Sequence, residues 1–466
     1  MFPIQRELKQ LVKLGIPLMA AFISQKGMQL VDAVMMGRIG SRALAAGVFG
    51  TGAYLTLTLF SLGLLSAVGV LIAAARGEEK LAEIPSILRS GFFQALILVV
   101  PGIAAIIFVP DFLWYIGQNH EVVALTRQLL LGLVWGFPGM LLFLILREFI
   151  SAFELARIVM LVTALSIPVT FIANYILIYG KFGFPALGIR GIGYAGAFVQ
   201  WLMFLCLFIY AKIHPKLNSH FSMNCFKEID WKKIRHLFRI GMPSGMILIL
   251  DASSAVAAGV LLGYLGAIVL AAHQIVMQCV SFIYAVPFAL SMATALRVSH
   301  VYAESGPQRA QLVAFLGIGM AMVIAALVTL MLILFSKSIV QIFINTASAQ
   351  YVVVHAVAKQ LFFIAGLFLI FDAMQAVTLG ALRGLQDTTI PMLVNALCFW
   401  LVGFSCGYFL TFHTSIGARG VWIGLALGIS SSALLLFWRL CYQIKQLKKK
   451  LRVYANVACS TNMRSA

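Results

Sequence analysis

The chain has 466 residues, of which 62% are hydrophobic and only 11% charged, a balance that excludes a water-soluble globular domain. The net charge of +19 would suit nucleic acid, but its placement argues against that partner. Of 34 Lys and Arg, 25 fall at the termini and in alternate connections on one side of the apolar runs, eight on the other, and Lys26 lies within the first run.

Those runs recur at 11–36, 44–74, 87–109, 122–146, 158–180, 191–211, 240–262, 267–296, 311–335, 351–381, 391–412 and 417–441. Each is long enough to cross a bilayer as a helix. None shows the short polar–apolar alternation of membrane β-strands. The expected fold is an all-α membrane protein with twelve transmembrane helices. The basic asymmetry places both termini in the cytoplasm. The first run follows a basic N-terminus, yet it is too long for a signal peptide and carries Ser24, Gln25, Lys26 and Asp32, so it reads as an uncleaved helix. Seven cysteines are scattered without metal-site spacing and read as structural. The tail residues Lys445, Lys448, Lys449, Lys450 and Arg452 suit anionic lipid headgroups, which makes membrane lipids an expected partner.

The sequence doubles on itself. Leu14-Gly15-Ile16-Pro17 returns as Ile240-Gly241-Met242-Pro243, 226 residues on. At the same offset Met36-Gly37-Arg38-Ile39-Gly40 meets Leu262-Gly263-Tyr264-Leu265-Gly266, and Leu44-Ala45-Ala46 meets Leu270-Ala271-Ala272. Leu146-Arg147 pairs with Leu382-Arg383 at an offset of 236. Each copy holds six spans, an even number, so both start from the same side and a pseudo-twofold along the membrane normal should relate them. The expected organisation is a six-helix lobe over 1–211, a cytoplasmic linker and surface helix over 212–236, a second lobe over 237–443 and a basic tail over 444–466. Pro17, Pro101, Pro138, Pro168, Pro243 and Pro287 fall in or near span interiors, as kinks or hinges.

Three acids, Asp32, Asp251 and Asp372, lie inside spans. A carboxylate there costs about 2.5–3.5 kcal/mol even on lenient insertion scales and usually faces a cavity with work to do. Asp251 stands eight residues after Pro243, about 12 Å along a helix. Asp372 is set in Leu369-Ile370-Phe371-Asp372-Ala373-Met374-Gln375. Two carboxylates at similar depth can share a cation through their oxygens or hold a proton, so Asp251 and Asp372 are candidate Na+ ligands or proton carriers. The repeat offset carries Asp251 back to Gln25, which shares a helix face with Asp32 seven residues on. Asn174, six residues after Pro168, either offers an oxygen near Asp32 or makes an interhelical hydrogen bond. Tyr284 offers a ring to an organic cation. Lys26 either reaches an acid on another helix or snorkels. No Walker A sequence, catalytic metal cluster or nucleophile–base motif stands out, so neither an ATP-driven pump nor an enzyme is expected.

The chain resembles the multidrug and toxic compound extrusion (MATE) family, in its bacterial norfloxacin-efflux branch. The resemblance spans nearly all of 8–443. It rests on Leu14-Gly15-Ile16-Pro17, Val31-Asp32 with Met36-Gly37-Arg38-Ile39-Gly40, Ala271-Ala272-His273-Gln274-Ile275, and Leu382-Arg383-Gly384-Leu385-Gln386-Asp387-Thr388. It implies an antiporter in the bacterial inner membrane that expels amphipathic, often cationic drugs against inward Na+ or H+, by alternating access and with no cofactor. The family's first-lobe acid falls on Asp32, its span-five amide on Asn174, its span-eight tyrosine on Tyr284 and its span-ten acid on Asp372. Tyr284, Gln25 and Gln274 are the candidate substrate contacts, and the expected state is a monomer. Two departures stand out. The branch usually has Glu in span seven where this chain has Asp251, and Ile178 occupies a position where some branches carry a second acid. The competing readings are a flippase for a lipid-linked precursor, which would want clustered basic residues in its cavity, and a membrane-embedded transferase, which would want an acidic polar loop.

Overall fold

The computed structural model describes residues 2–221, 230–343 and 351–462, and all the regular structure among them is helical. Among the described residues, eleven helices are long and apolar enough to cross a membrane. They are α2 (Ser41–Gly77), α3 (Leu81–Tyr115), α4 (His120–Ala152), α5 (Ala156–Tyr179), α6 (Ile189–Ile213), α7 (Trp231–Gly263), α8 (Ile268–Ser305), α9 (Pro307–Leu334), α10 (Val352–Gly384), α11 (Thr389–Phe412) and α12 (Ala418–Leu451). Ahead of them runs α1 (Phe2–Ile39), 38 residues long. Its Lys13, Gln25, Lys26 and Asp32 dilute the apolar character that marks the other eleven. With α1 the helices number the twelve expected.

Helix boundaries follow local chemistry. The Asp230 carboxylate caps α7 by accepting from the backbone N–H of Lys232 (3.0 Å) and Lys233 (3.2 Å). Asn119 does the same for α4 through the N–H of Glu121 at 2.9 Å. Gly306, at φ 82°, makes the turn between α8 and α9 that a side chain would resist, and Pro307 then opens α9 where a backbone donor is dispensable. Two prolines coincide with breaks. Pro138 follows a 3₁₀ turn, Val134–Gly136, within α4. Pro287 follows an interruption of α8 at Tyr284. Pro17, Pro101, Pro168 and Pro243 sit inside unbroken helix. In α11, Leu397–Phe404 is wound as π-helix.

Packing divides the chain into two compact units. One comprises Lys13–Ala75 and Lys80–Ile249. Its interior holds Met35, Met36, Ala46, Leu129, Ile178 and Ile192. The start of α7 meets α2 almost backbone to backbone: a Cβ on Gly241 would stand 2.1 Å from the Leu64 carbonyl oxygen. Small residues permit such approach where lipid supplies no hydrophobic drive between helices. The linker expected over 212–236 lies partly outside the described residues. Its amphipathic run is continuous with α7, where Ile234 and Leu237 are buried and Trp231 sets its ring edge-on to Phe93 at 5.6 Å.

The other unit runs from Leu250 onward and adds the chain up to Val12 and the segment Arg76–Glu79. Its helices α8, α9, α10 and α12 enclose Leu11, Val298, Val313, Val377 and Leu436. A second cluster contains Leu262, Val276, Phe362, Phe368 and Trp422. Glu7 is fully buried here. It accepts from Arg297 Nε at 2.7 Å and Nη2 at 3.0 Å, with Arg309 Nη2 3.6 Å away. The motif residue Asp387, just past α10, accepts from Arg439 of α12 at 2.8 Å.

Candidate functional site

In the first unit, α1 and α5 bring together Asp32 and Asn174, 142 residues apart in sequence. Asn174 Nδ2 donates to Asp32 Oδ1 at 2.7 Å. Asn174 is fully buried, and its own Oδ1 has no hydrogen-bond partner among the described residues. The amide therefore serves the acid with its nitrogen and leaves an oxygen over for a cation or a water. Ile178, one turn further along α5, is buried in the apolar interior and adds no second acid. Gln25 and Lys26, two turns before Asp32, are both half-buried.

In the second unit, α7 carries Asp251, α8 carries Tyr284 and α10 carries Asp372. The Tyr284 hydroxyl donates to Asp251 Oδ2 at 3.4 Å, a long hydrogen bond. Asp372 is 5% exposed and stands close enough to interact electrostatically with both Asp251 and Tyr284. Tyr284 sits where α8 breaks. Pro287 has no N–H to return to the Ile283 carbonyl, and the interruption sets the tyrosine against Phe288, ring centroids 5.7 Å apart. Tyr284, expected from its ring to be a substrate contact, belongs to the acid cluster through its hydroxyl. Gln274 is exposed on α8, while its motif neighbour His273 is buried against Trp422 at 5.6 Å.

Several polar features have no role assigned from sequence. The duplicated arginines, Arg147 and Arg383, are both buried, and Arg147 pairs with Glu148 at 2.7 Å and lies 5.4 Å from the Phe22 ring centroid. Gln375, Asn395 and Ser432 join α10, α11 and α12 through a buried hydrogen-bonded cluster. The quoted duplication pointed to the arginines. Nothing local in sequence pointed to the cluster, whose members are neutral and lie on three separate spans.

Helices long and apolar enough to span a bilayer, holding carboxylates inside on amide and hydroxyl groups, define a multi-pass membrane protein. Residues 17–176 and 243–409 match the MatE family, one block in each half of the chain. A probable multidrug resistance protein NorM from Brucella suis biovar 1 is 32% identical over 438 residues, 93% of each chain. The protein of the same name from Pseudomonas putida is 33% identical over 455 residues, 97% of this chain and 98% of that one. Among solved structures, the eukaryotic MATE transporter AtDTX14 is similar in fold, with a TM-score of 0.82 at 21% identity over 96% of this chain and 99% of its own. A MATE structure in the bent conformation gives 0.86 at 18% identity, over 97% and 99%. The chain belongs to the MATE family and is a transporter, not an enzyme. The resemblance read from its motifs is borne out.

Proposed function

We propose that this transporter exports amphipathic, often cationic drugs in exchange for inward Na+ or H+, by alternating access, from a bacterial inner membrane with both termini cytoplasmic. The observation that carries the reading is the second-unit cluster, where two carboxylates and a tyrosine hydroxyl gather inside apolar helices. A small cation or proton relieves the repulsion between the acids, so its binding and release carry a large free-energy difference between states. A cationic drug competes for the same negative charge. The Asp32–Asn174 pair offers a further carboxylate in the first unit. The names of the NorM relatives support drugs as the exported class. In this reading the protein works as a monomer, and Gln25, Gln274 and Tyr284 contact the drug.

The test is ethidium efflux from proteoliposomes under an imposed Na+ gradient and then a pH gradient. Asp372→Asn should abolish gradient-driven efflux, since the amide neither binds a proton at neutral pH nor offers a full negative charge. An Asp372→Asn protein that still follows either gradient as the wild type does would refute the coupling role.

A further inference from the structure

We propose that Gln375 is a two-position amide that passes the occupancy of Asp372 to helices α11 and α12, an inference that rests on Asp372 being the coupling acid. Gln375 is 3% exposed, and its Nε2 donates to Asn395 Oδ1 at 3.0 Å and to Ser432 Oγ at 3.2 Å. Asn395 and Ser432 are fully buried, and the Ser432 hydroxyl also donates to Asn395 Oδ1. One amide thus ties three helices together inside the second unit.

The other position is set by spacing. Asp372 lies three residues before Gln375 on α10, about 4.5 Å along the axis and 60° round it. That is a separation at which Gln and Asp side chains hydrogen-bond on a helix. When Asp372 is ionised and holds no cation, its oxygens are the strongest acceptor within reach, because bonds to a charged group are about twice as strong as neutral ones. The amide then turns to Asp372 and releases Asn395 and Ser432. When a proton or Na+ neutralises the acid, it keeps acceptor oxygens but loses the charge that made it the stronger partner, and the amide returns to Asn395 and Ser432, where it stands in this structure.

Two observations mark the receiving end as able to move. Asn395 Nδ2 is buried with no hydrogen-bond partner among the described residues, so the arrangement seen leaves one donor for another state to satisfy. Two residues later α11 becomes π-helix, Leu397–Phe404, a winding in which one extra residue per turn lets helix register shift.

The test uses Gln375→Met, which keeps shape and loses the donor, in the full-length transporter in lipid nanodiscs. Hydrogen exchange of the 389–404 segment is followed as Na+ is added or pH lowered, beside ethidium binding and gradient-driven efflux. In the wild type, exchange there should change with the ion. In Asp372→Asn it should stay at one level. In Gln375→Met the ion response should vanish and efflux fall about tenfold, while ethidium affinity stays within about twofold. Ser432→Ala, which removes one of the two Gln375 bonds together with the Ser432–Asn395 bond, should fall between. The double variant Asp372→Asn/Gln375→Met should be no worse than Asp372→Asn alone, because the two act in series. A Gln375→Met protein with the wild-type ion response overturns the inference and leaves the coupling reading standing. An Asp372→Asn protein that keeps gradient-driven efflux overturns both. Loss of ethidium affinity in Gln375→Met alongside lost efflux would mark a merely structural role and also overturn it.

Discussion

Removing Arg297 is expected to be among the most damaging single changes outside the acid clusters. Glu7 has no solvent exposure, and both its oxygens are taken by Arg297, at 2.7 and 3.0 Å. Arg297→Met keeps the volume of the aliphatic stem and deletes both bonds. The carboxylate is then left with Arg309, 3.6 Å away and 32% exposed, a geometry worth about 0–1 kcal/mol. Breaking a buried pair by deleting one partner costs about 3–5 kcal/mol, because an uncompensated charge stays behind. The residual Arg309 contact brings the expected loss to roughly 2–5 kcal/mol. The double variant Glu7→Gln/Arg297→Met has no stranded charge and should recover most of the loss. Thermal unfolding in detergent, followed by intrinsic fluorescence, reads both. For a unit of this size each kcal/mol moves the midpoint by about 2–4 °C, so the single variant should melt roughly 10 °C low. A single variant that melts with the wild type, or a double variant no better than the single, would refute the argument from burial.

Four further outcomes follow from the geometry. Asn174→Leu strips Asp32 of its 2.7 Å donor and should slow gradient-driven ethidium efflux about tenfold, with expression unchanged. Tyr284→Phe removes a single long hydrogen bond of 3.4 Å, so stability should change by less than about 1 kcal/mol, as measured by melting. Gly241→Ala places a methyl 2.1 Å from the Leu64 carbonyl, a backbone atom that cannot swing aside, and should cost about 1–3 kcal/mol. In Gly37→Ala the added carbon meets nothing within 4 Å, so that protein should melt at or slightly above the wild-type temperature.

The spans were legible because bilayer thickness imposes a length on every one of them, and α1 was read through its polar residues by the same measure. The acids were legible because charge in hydrocarbon is costly and therefore rare. Asn174 was legible in sequence as either an oxygen near Asp32 or an interhelical hydrogen bond, but not which end of the amide faces the acid. That choice depends on the donor–acceptor balance of a site assembled from two helices. The prolines show the same limit. Pro138 and Pro287 accompany breaks, whereas Pro168 and Pro243 do not, because neighbouring side chains and local winding decide what becomes of a freed carbonyl. Glu7 and Arg297 lie 290 positions apart at the ends of their spans, where charged residues are ordinary. Gln375, Asn395 and Ser432 carry no charge and stand on three helices, so only coordinates bring them together.

The two units hold their acids differently, and the difference bears on exchange. Asp32 stands with a neutral amide, so one monovalent cation cancels the charge there and leaves nothing for a cationic drug to bind. Asp251 and Asp372 together carry two charges when ionised, and among the described residues the Tyr284 hydroxyl is bonded to Asp251 across helices. One small cation there leaves a net negative site that a cationic drug can still occupy, while two protons or a proton and Na+ leave none. On the proposed coupling, competition between drug and ion is therefore sharper at Asp32, and the second unit admits one drug cation beside one small cation. On this argument Asp251→Asn, which reduces that site to a single charge, should make drug and coupling ion mutually exclusive, so that raising either one displaces the other in an equilibrium binding measurement. Drug and ion bound together at Asp251→Asn with unchanged affinities would show that they do not share the charge at all.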